Sequence, residues 1–568
     1  MGSVCFILEL QAVDLEVLID HKYGGHALIL SSLRYKTSSE ELFSVTRLSY
    51  LLSGVTIEDE EGKLHEAQGE FLIDSKGGRL VIRDIPTGQY RALHLNLGLD
   101  EKVNHSDTAQ YPAKHVLNPL MNRLHWDQEN GYIFLALEGR FRMGSDLSGF
   151  VYHVALDENR TRLSFSQKMD LRDSGRLHLS LDLQSLLNAP QPITFQKYGK
   201  STHSNPGDPL PKVLTSNLQT AFRVVSFRNT TSFSAQRAQV KPLYMPADFT
   251  PYQFTLPKTF PVPFLPLDNP LTEERISLGK RLFHDSILSK NGETSCSSCH
   301  IESSAFSDKR QFSVGLYGDK TPRNSMPLFN LAWKESFFWD GRSTTLRQQV
   351  LEPIQNPIEM HQDFGKLVIK LSGVLEYEDL FGKAFSSPEI NVEKVSLALE
   401  AYLLTLISTD SKFDQALRGE VSLNPEEQRG LELFFMEYEP AHNKKGADCF
   451  HCHGGKFFSD FAFHNNGLID VDDLGAAGVT ELESDEGKFA TPSLRNVALT
   501  APYMHDGRFK TLEEVVTHYS SEVKRTKNLD PNLAKHPVGG IELSPEDQSA
   551  IVAFLKTLTD PKFTEKEK

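Results

Sequence analysis

The chain has 568 residues and 39% hydrophobic content, enough for several packed cores, and its length corresponds to about three or four domains. A formal charge of -15 and a pI near 5.8 exclude the basic footprint that nucleic acids and anionic membrane surfaces require of a partner. No apolar run approaches the length of a membrane span.

The opening residues, Met1-Gly2-Ser3-Val4-Cys5-Phe6-Ile7-Leu8-Glu9-Leu10, lack a basic flank and are interrupted at Glu9, so they do not read as a signal peptide. Cys5 reads as a small apolar residue in a strand. Up to residue 240 the pattern is β. Strands are expected at Ala27 to Tyr35, Phe43 to Ile57, Leu80 to Ile85, Tyr90 to Leu97, Gly131 to Phe141, Phe150 to Leu156, Arg162 to Leu171 and Leu177 to Leu183. Turn signals such as Gly24-Gly25 and Pro86-Thr87-Gly88 separate them, and regular spacing without helical periods predicts a sandwich or barrel over residues 1–240.

Prolines then recur from Lys241 to Pro270, and residues 241–262 read as an extended tether. Beyond it the period is helical, over Leu271 to Phe283, Thr345 to Leu351, Val392 to Ile407, Pro425 to Phe435, Leu512 to Tyr519 and Pro545 to Leu558. Asn424 before Pro425 and Ser544 before Pro545 each supply an N-cap with proline at the first helical position.

This half is internally duplicated. Gly279-Lys280-Arg281-Leu282-Phe283 is echoed by Gly430-Leu431-Glu432-Leu433-Phe434, Phe306-Ser307-Asp308 by Phe458-Ser459-Asp460, and Asp340-Gly341-Arg342 by Asp506-Gly507-Arg508. Between the first two members of each series lies a C-x-x-C-H run: Cys296, Cys299 and His300, then Cys449, Cys452 and His453. Such a run suits covalent haem c, because two thiols three positions apart each close a thioether on a vinyl group and the next imidazole reaches the iron. A zinc site would need four ligands from knuckles closer together, and the two runs use four of the five cysteines, so two haems are expected. The expected architecture is multidomain: an N-terminal all-β sandwich-like domain followed by two mainly α cytochrome c domains, over 263–405 and 406–568.

From about Phe264 to the end the chain resembles the di-haem cytochrome c peroxidase family, MauG-like and MbnH-like members included. The likeness rests on Pro322-Arg323-Asn324-Ser325, Phe338-Trp339-Asp340-Gly341-Arg342, the run from Glu352 to Met360, Thr491 to Asn496, and Thr500 to Gly507. It implies two covalently bound haem c groups and hydrogen peroxide as substrate. In the peroxidases a histidine caps the first haem from a position that is Leu316 here, so the iron on His300 is expected to be open. For the iron on His453 the resemblance implies Tyr519 as sixth ligand, with Met504 as the alternative. Glu359 and Gln349 match the distal pocket of the open haem, and Trp339 matches the tryptophan between the haems, whereas Trp333 reads as packing. Asn324, Thr500 and Pro502 match oxygen donors of a calcium ion.

The β half resembles the MbnP family of copper-binding proteins in Phe43 to Ser53, His125-Trp126 and Gly131 to Gly139. That family accompanies a di-haem enzyme that oxidises a partner tryptophan to kynurenine, which can join a copper site. Trp126 is the only tryptophan of this half and becomes the oxidation target; Gln128 stands where a second ring is expected. His153, His203 and His21 fall on candidate copper positions.

The expectation is thus an oxidase fused to its own substrate. The alternatives are a peroxidase fed by a small electron-donor cytochrome or cupredoxin, and a copper-binding protein with an electron-transfer tail. Covalent haem c is assembled outside the bacterial cytoplasm, so the expected location is periplasmic or otherwise extracytoplasmic, with a leader missing or the start misplaced.

Overall fold

A computed structural model describes residues 12–112, 115–127, 130–144, 146–229, 243–257, 260–261, 263, 265–439, 444–469 and 472–564. Cys5, Gln128 and the start of the tether lie outside the described residues. The chain divides into two compact units: Met1–Thr108, His115–Arg237 and Pro531–Lys535 form one, and Ala109–Lys114, Ala238–Asp530 and His536–Lys568 the other. Both C-x-x-C-H runs fall in the second unit.

The first unit is built on two sheets. One orders Phe222–Asn229, Gly175–Asp182 and Ala12–Tyr23, the last pairing also with Gly78–Pro86. The larger runs Thr161–Leu171, Gly88–Leu97, Leu42–Asp59, Gly131–Met143, Asp146–Ala155 and Ser201–Thr202. Alternation along Leu42–Asp59 sends the fully buried Leu48, Tyr50 and Leu52 to the face that meets the other sheet, where Phe222 packs edge-on against Tyr50 and Phe165. Ser31 takes a left-handed φ of 56°, which interrupts the strand expected over Ala27 to Tyr35 and leaves only His26–Ala27 and Tyr35–Lys36 paired. The strand Ala12–Tyr23 and the helix Leu210–Ala221 are additions to the expected elements.

The second unit repeats one device. Helix Glu273–His284 crosses Val392–Leu404 so closely that a Cβ on Gly279 would lie 1.9 Å from the Ala398 carbonyl oxygen. Helix Pro425–Phe435 crosses Pro545–Lys556 in the same way, with a Cβ on Gly430 falling 1.9 Å from the Ala550 oxygen. Glycine is therefore required at the same place in both repeats, which is why the two segments share their sequence. Asn424 forms a capping box with Glu427, and the Ser544 side chain accepts from the Asp547 N–H. Among the described residues no helix is long and apolar enough to cross a membrane.

Candidate functional site

In each repeat the chain turns tightly after the C-x-x-C-H run. Phe306 and Phe458 take left-handed φ values of 58° and 50°. These turns bring a carbonyl onto the histidine: His300 Nδ1 donates to Phe306 O at 2.8 Å and His453 Nδ1 to Phe458 O at 3.0 Å. Burial lowers both imidazole pKa values, and with each Nδ1–H given to a carbonyl, Nε2 is the nitrogen left to bind a metal. Burial also pushes the Cys296 and Cys449 thiols up to about 12. These are protonated thiols of the kind that add to a vinyl group.

A cavity opens over the first run, lined by Cys296, Cys299, His300, Gln349, Glu359 and Leu403 among others, with His300 its only histidine among the described residues. Gln349 Oε1 is buried there without a hydrogen-bond partner among the described residues. Burial raises the Glu359 pKa, and Asn356 Nδ2 donates to its Oε1 at 2.7 Å. Leu316 N donates to Glu359 O at 2.9 Å, while a Cβ on the neighbouring Gly315 would come within 1.6 Å of Ile358 O. Position 315 must therefore be glycine for the loop to close on the Glu359 segment. Two thiols, one metal-ready imidazole and an orphaned polar atom around one cavity fit a haem.

Trp339 joins the repeats. Its Nε1 donates to Asn324 O at 2.8 Å, its own carbonyl accepts from Ala490 N at 2.8 Å, and Asn324 N donates to His505 O at 2.8 Å. Trp333 packs against Phe457 at 4.8 Å between ring centroids. The Asn324 side-chain amide donates to Gln311 O at 3.0 Å, which points its N–H group there and turns Oδ1 the other way. Thr500 and Pro502 lie on the loop that His505 ties to Asn324.

Around the second run, helix Leu512–Thr517 continues into a π-helical turn, His518–Glu522. Such a wide turn redirects the side chain it carries. Tyr519 sits in it, and burial pushes its hydroxyl up to about 12, with Cys452 and Cys449 among the groups it feels. Asn466 Nδ2 donates to Tyr519 Oη at 3.4 Å and lies 3.5 Å from Met504 Sδ. His464, close by in sequence, is clamped between Asp460 at 2.8 Å and Asp530 at 2.6 Å.

In the first unit three rings come together: His153 and His203 at 5.2 Å, with Trp126 6.2 Å and 6.0 Å from them. The parallel pairing of Tyr152 with Thr202 sets the two histidines side by side. Trp126 Nε1 is buried with no hydrogen-bond partner among the described residues. Glu138 Oε1 receives His153 Nε2 at 3.0 Å and Arg47 Nη1 at 3.0 Å.

His21 is not part of this group. Its ring nitrogens meet Tyr50 Oη at 3.0 Å and Ser75 O at 3.3 Å. Tyr50 pairs with Leu135 and Leu135 with Val154, so the pleat puts Tyr50 on the face opposite His153. Glu138 and Asn466 are absent from the expected site; a glutamate inside the otherwise apolar run from Ile133 to Gly139 is the available signal for the first.

Residues 273–422 match the family described as di-haem cytochrome c peroxidase, and residues 12–204 match MbnP. The methylamine utilization protein MauG of Methylophilus methylotrophus is 34% identical over 308 residues, 54% of this chain and 88% of that protein. The cytochrome c551 peroxidase of Pseudomonas aeruginosa is 34% identical over 301 residues, covering 51% and 80%. Among solved structures, a MauG-like protein associated with microbial copper homeostasis is 35% identical, with a TM-score of 0.49, over 56% of this chain and 100% of that one.

Proposed function

We propose that this chain, which belongs to the di-haem cytochrome c peroxidase family and acts as an oxidoreductase on peroxide with two haem c groups, directs its oxidising power at Trp126 of its own MbnP region. The observation that carries this reading is the placement of Trp126 beside His153 and His203, with its indole N–H buried and without a hydrogen-bond partner among the described residues.

When bound, the haems supply oxidation by peroxide and storage of the oxidising equivalents. The chain's own residues prepare that chemistry. His300 presents Nε2 because Phe306 O takes its Nδ1 proton. Glu359, its pKa raised by burial, carries a proton from one peroxide oxygen to the departing one, and Gln349 Oε1 accepts a peroxide hydrogen. Trp339, bonded to both repeats, is placed to relay electrons between them, Tyr519 would hold the second haem through its hydroxyl, and Asn324, Thr500 and Pro502 would supply oxygen donors to a calcium ion on the segment joining the repeats.

Conversion of Trp126 balances with two molecules of hydrogen peroxide reduced to water. Two oxygen atoms enter, the indole C2–C3 bond breaks, and hydrolysis releases the formyl carbon as formate. The resulting aryl amine joins His153 and His203 as nitrogen donors suited to copper. The location that fits this chemistry is extracytoplasmic.

Mass analysis of the peptide bearing Trp126, before and after peroxide, tests the reading. Kynurenine or its N-formyl precursor is expected at Trp126; an unchanged tryptophan after peroxide consumption would overturn it. The second reading, a peroxidase drawing electrons from a small cytochrome or cupredoxin, is favoured by the equal identity to the Pseudomonas aeruginosa enzyme and would show as sustained turnover with such a donor.

Glu138 orients His153 through Nε2, so E138Q is expected to weaken copper binding by the modified chain ~10–100-fold, the usual effect of losing such a partner. Competition titration with a copper chelator checks it.

A further inference from the structure

One amide reaches both candidate ligands of the second haem. Asn466 Nδ2 is 3.4 Å from Tyr519 Oη and 3.5 Å from Met504 Sδ, and no other hydrogen bond is described for either atom. We propose that Asn466 is the positioning residue that selects oxygen over sulfur at this iron, with Met504 as the ligand that replaces Tyr519 when the amide is removed. The inference rests on Tyr519 being the sixth ligand, as read above.

The physical argument starts from what the amide offers each partner. An N–H donor stabilises a phenol oxygen in its anionic form, which is the form that binds ferric iron. The same donor draws electron density from a thioether sulfur, a weak acceptor whose remaining lone pair then makes a poorer bond to iron. An amide NH2 that reaches both atoms therefore favours the phenol and restrains the sulfur.

Asn466 is held where it can do this. Its carbonyl accepts from His518 Nε2 at 3.0 Å, so it is latched to the residue just before Tyr519. Its Oδ1 accepts from Leu468 N at 3.4 Å, which turns Nδ2 toward the pair. Next to it Gly467 has a φ of 78° and its carbonyl accepts from Lys524 N at 3.1 Å; a Cβ there would meet Val523 at 2.7 Å. On the other side Tyr519 O accepts from Ile541 N at 3.0 Å, fixing the wide turn that carries the phenol. Met504 carries a left-handed φ of 73°, a conformation costly for a methionine and one that settles where the sulfur begins.

The test uses the di-haem chain with Asn466→Leu, which fills the space without a donor, and Asn466→Gln, which keeps one. Ferric absorption and magnetic circular dichroism identify the ligand, and a redox titration gives the midpoint potential of that haem. The wild type should show the phenolate signature. N466L is expected to lose it, gain the sulfur-to-iron charge-transfer band and shift the potential upward, since sulfur favours ferrous iron where phenolate favours ferric. N466Q should restore part of the phenolate signature, and N466L/M504L should lack the sulfur band.

An N466L haem that keeps the phenolate signature and the wild-type potential would overturn the selection role, as would loss of both signatures while M504 is intact. A wild-type spectrum already showing sulfur would instead overturn the Tyr519 reading, so the two failures are distinguishable. Circular dichroism on each variant separates ligand exchange from misfolding.

Discussion

Glu359→Gln is expected to lower peroxide turnover by ~10²–10⁴-fold, the range for loss of a positioned proton-transfer group, while leaving both haems attached. The effect should be this large because the carboxyl lies in the same cavity as His300, and among the described residues no other carboxylate lines that cavity. Burial raises its pKa above the ordinary carboxylate range, and the Asn356 hydrogen bond only partly offsets that rise. The group therefore sits closer to the operating pH than an exposed glutamate and moves a proton at less cost. Glutamine keeps the volume and the contact with Asn356 but cannot exchange a proton in the same way. Stopped-flow consumption of hydrogen peroxide measures the loss, and the haem absorption of the resting variant checks that the pocket is intact. Turnover within a factor of two of wild type would remove Glu359 from the chemistry.

The largest stability effect is expected at Arg495→Met. The Arg495 guanidinium is fully buried and forms two parallel bonds to Asp414, Nη1 to Oδ2 at 2.7 Å and Nη2 to Oδ1 at 2.9 Å, with Nε donating to Lys456 O at 2.6 Å. Removing one partner strands a buried carboxylate, which costs ~3–5 kcal/mol. Burial alone would raise the Asp414 pKa, but the bonds and charge of Arg495 outweigh it and hold the carboxyl below its ordinary value. The sign of the pH dependence follows. For a depressed carboxyl the pair's stabilisation is fully present above the unfolded value of ~3.9 and is lost as pH falls through the lower folded value. Wild type and R495M unfolding should therefore differ most near neutrality and converge in acid. Chemical denaturation at several pH values tests this, and a gap that persists at the acid end would contradict it.

What the sequence disclosed and what it hid follow from the range of each interaction. Haem attachment is local chemistry, so Cys296, Cys299 and His300 are legible from their spacing alone. The helix Pro425–Phe435 is legible to the residue because its stop and start are chemical: Asn424 and Glu427 cap each other, and proline takes the first position. The strand Ala12–Tyr23 escaped because Glu16 sits in it; the structure buries that glutamate between Arg79 and Arg176, which neighbouring strands supply. His21 lies away from His153 and His203 for a related reason. Which face a residue takes depends on register across three strands, and register is not written in any one of them.

Around the second iron the sequence supplies the residue types but not their meeting. Asn466 and Tyr519 are 53 positions apart, and nothing in Asn465-Asn466-Gly467 says which side chain will turn toward the phenol. The π-helical turn is likewise invisible to a period of 3.6, which continues the helix to Tyr519 without showing the change of direction there.

The account depends on an asymmetry between the irons: the one on His300 open to peroxide, the one on His453 closed by an oxygen ligand. A ferric electron paramagnetic resonance spectrum of the di-haem chain reads both at once. One high-spin and one low-spin signal in equal amounts is the predicted result, and two low-spin signals would contradict it.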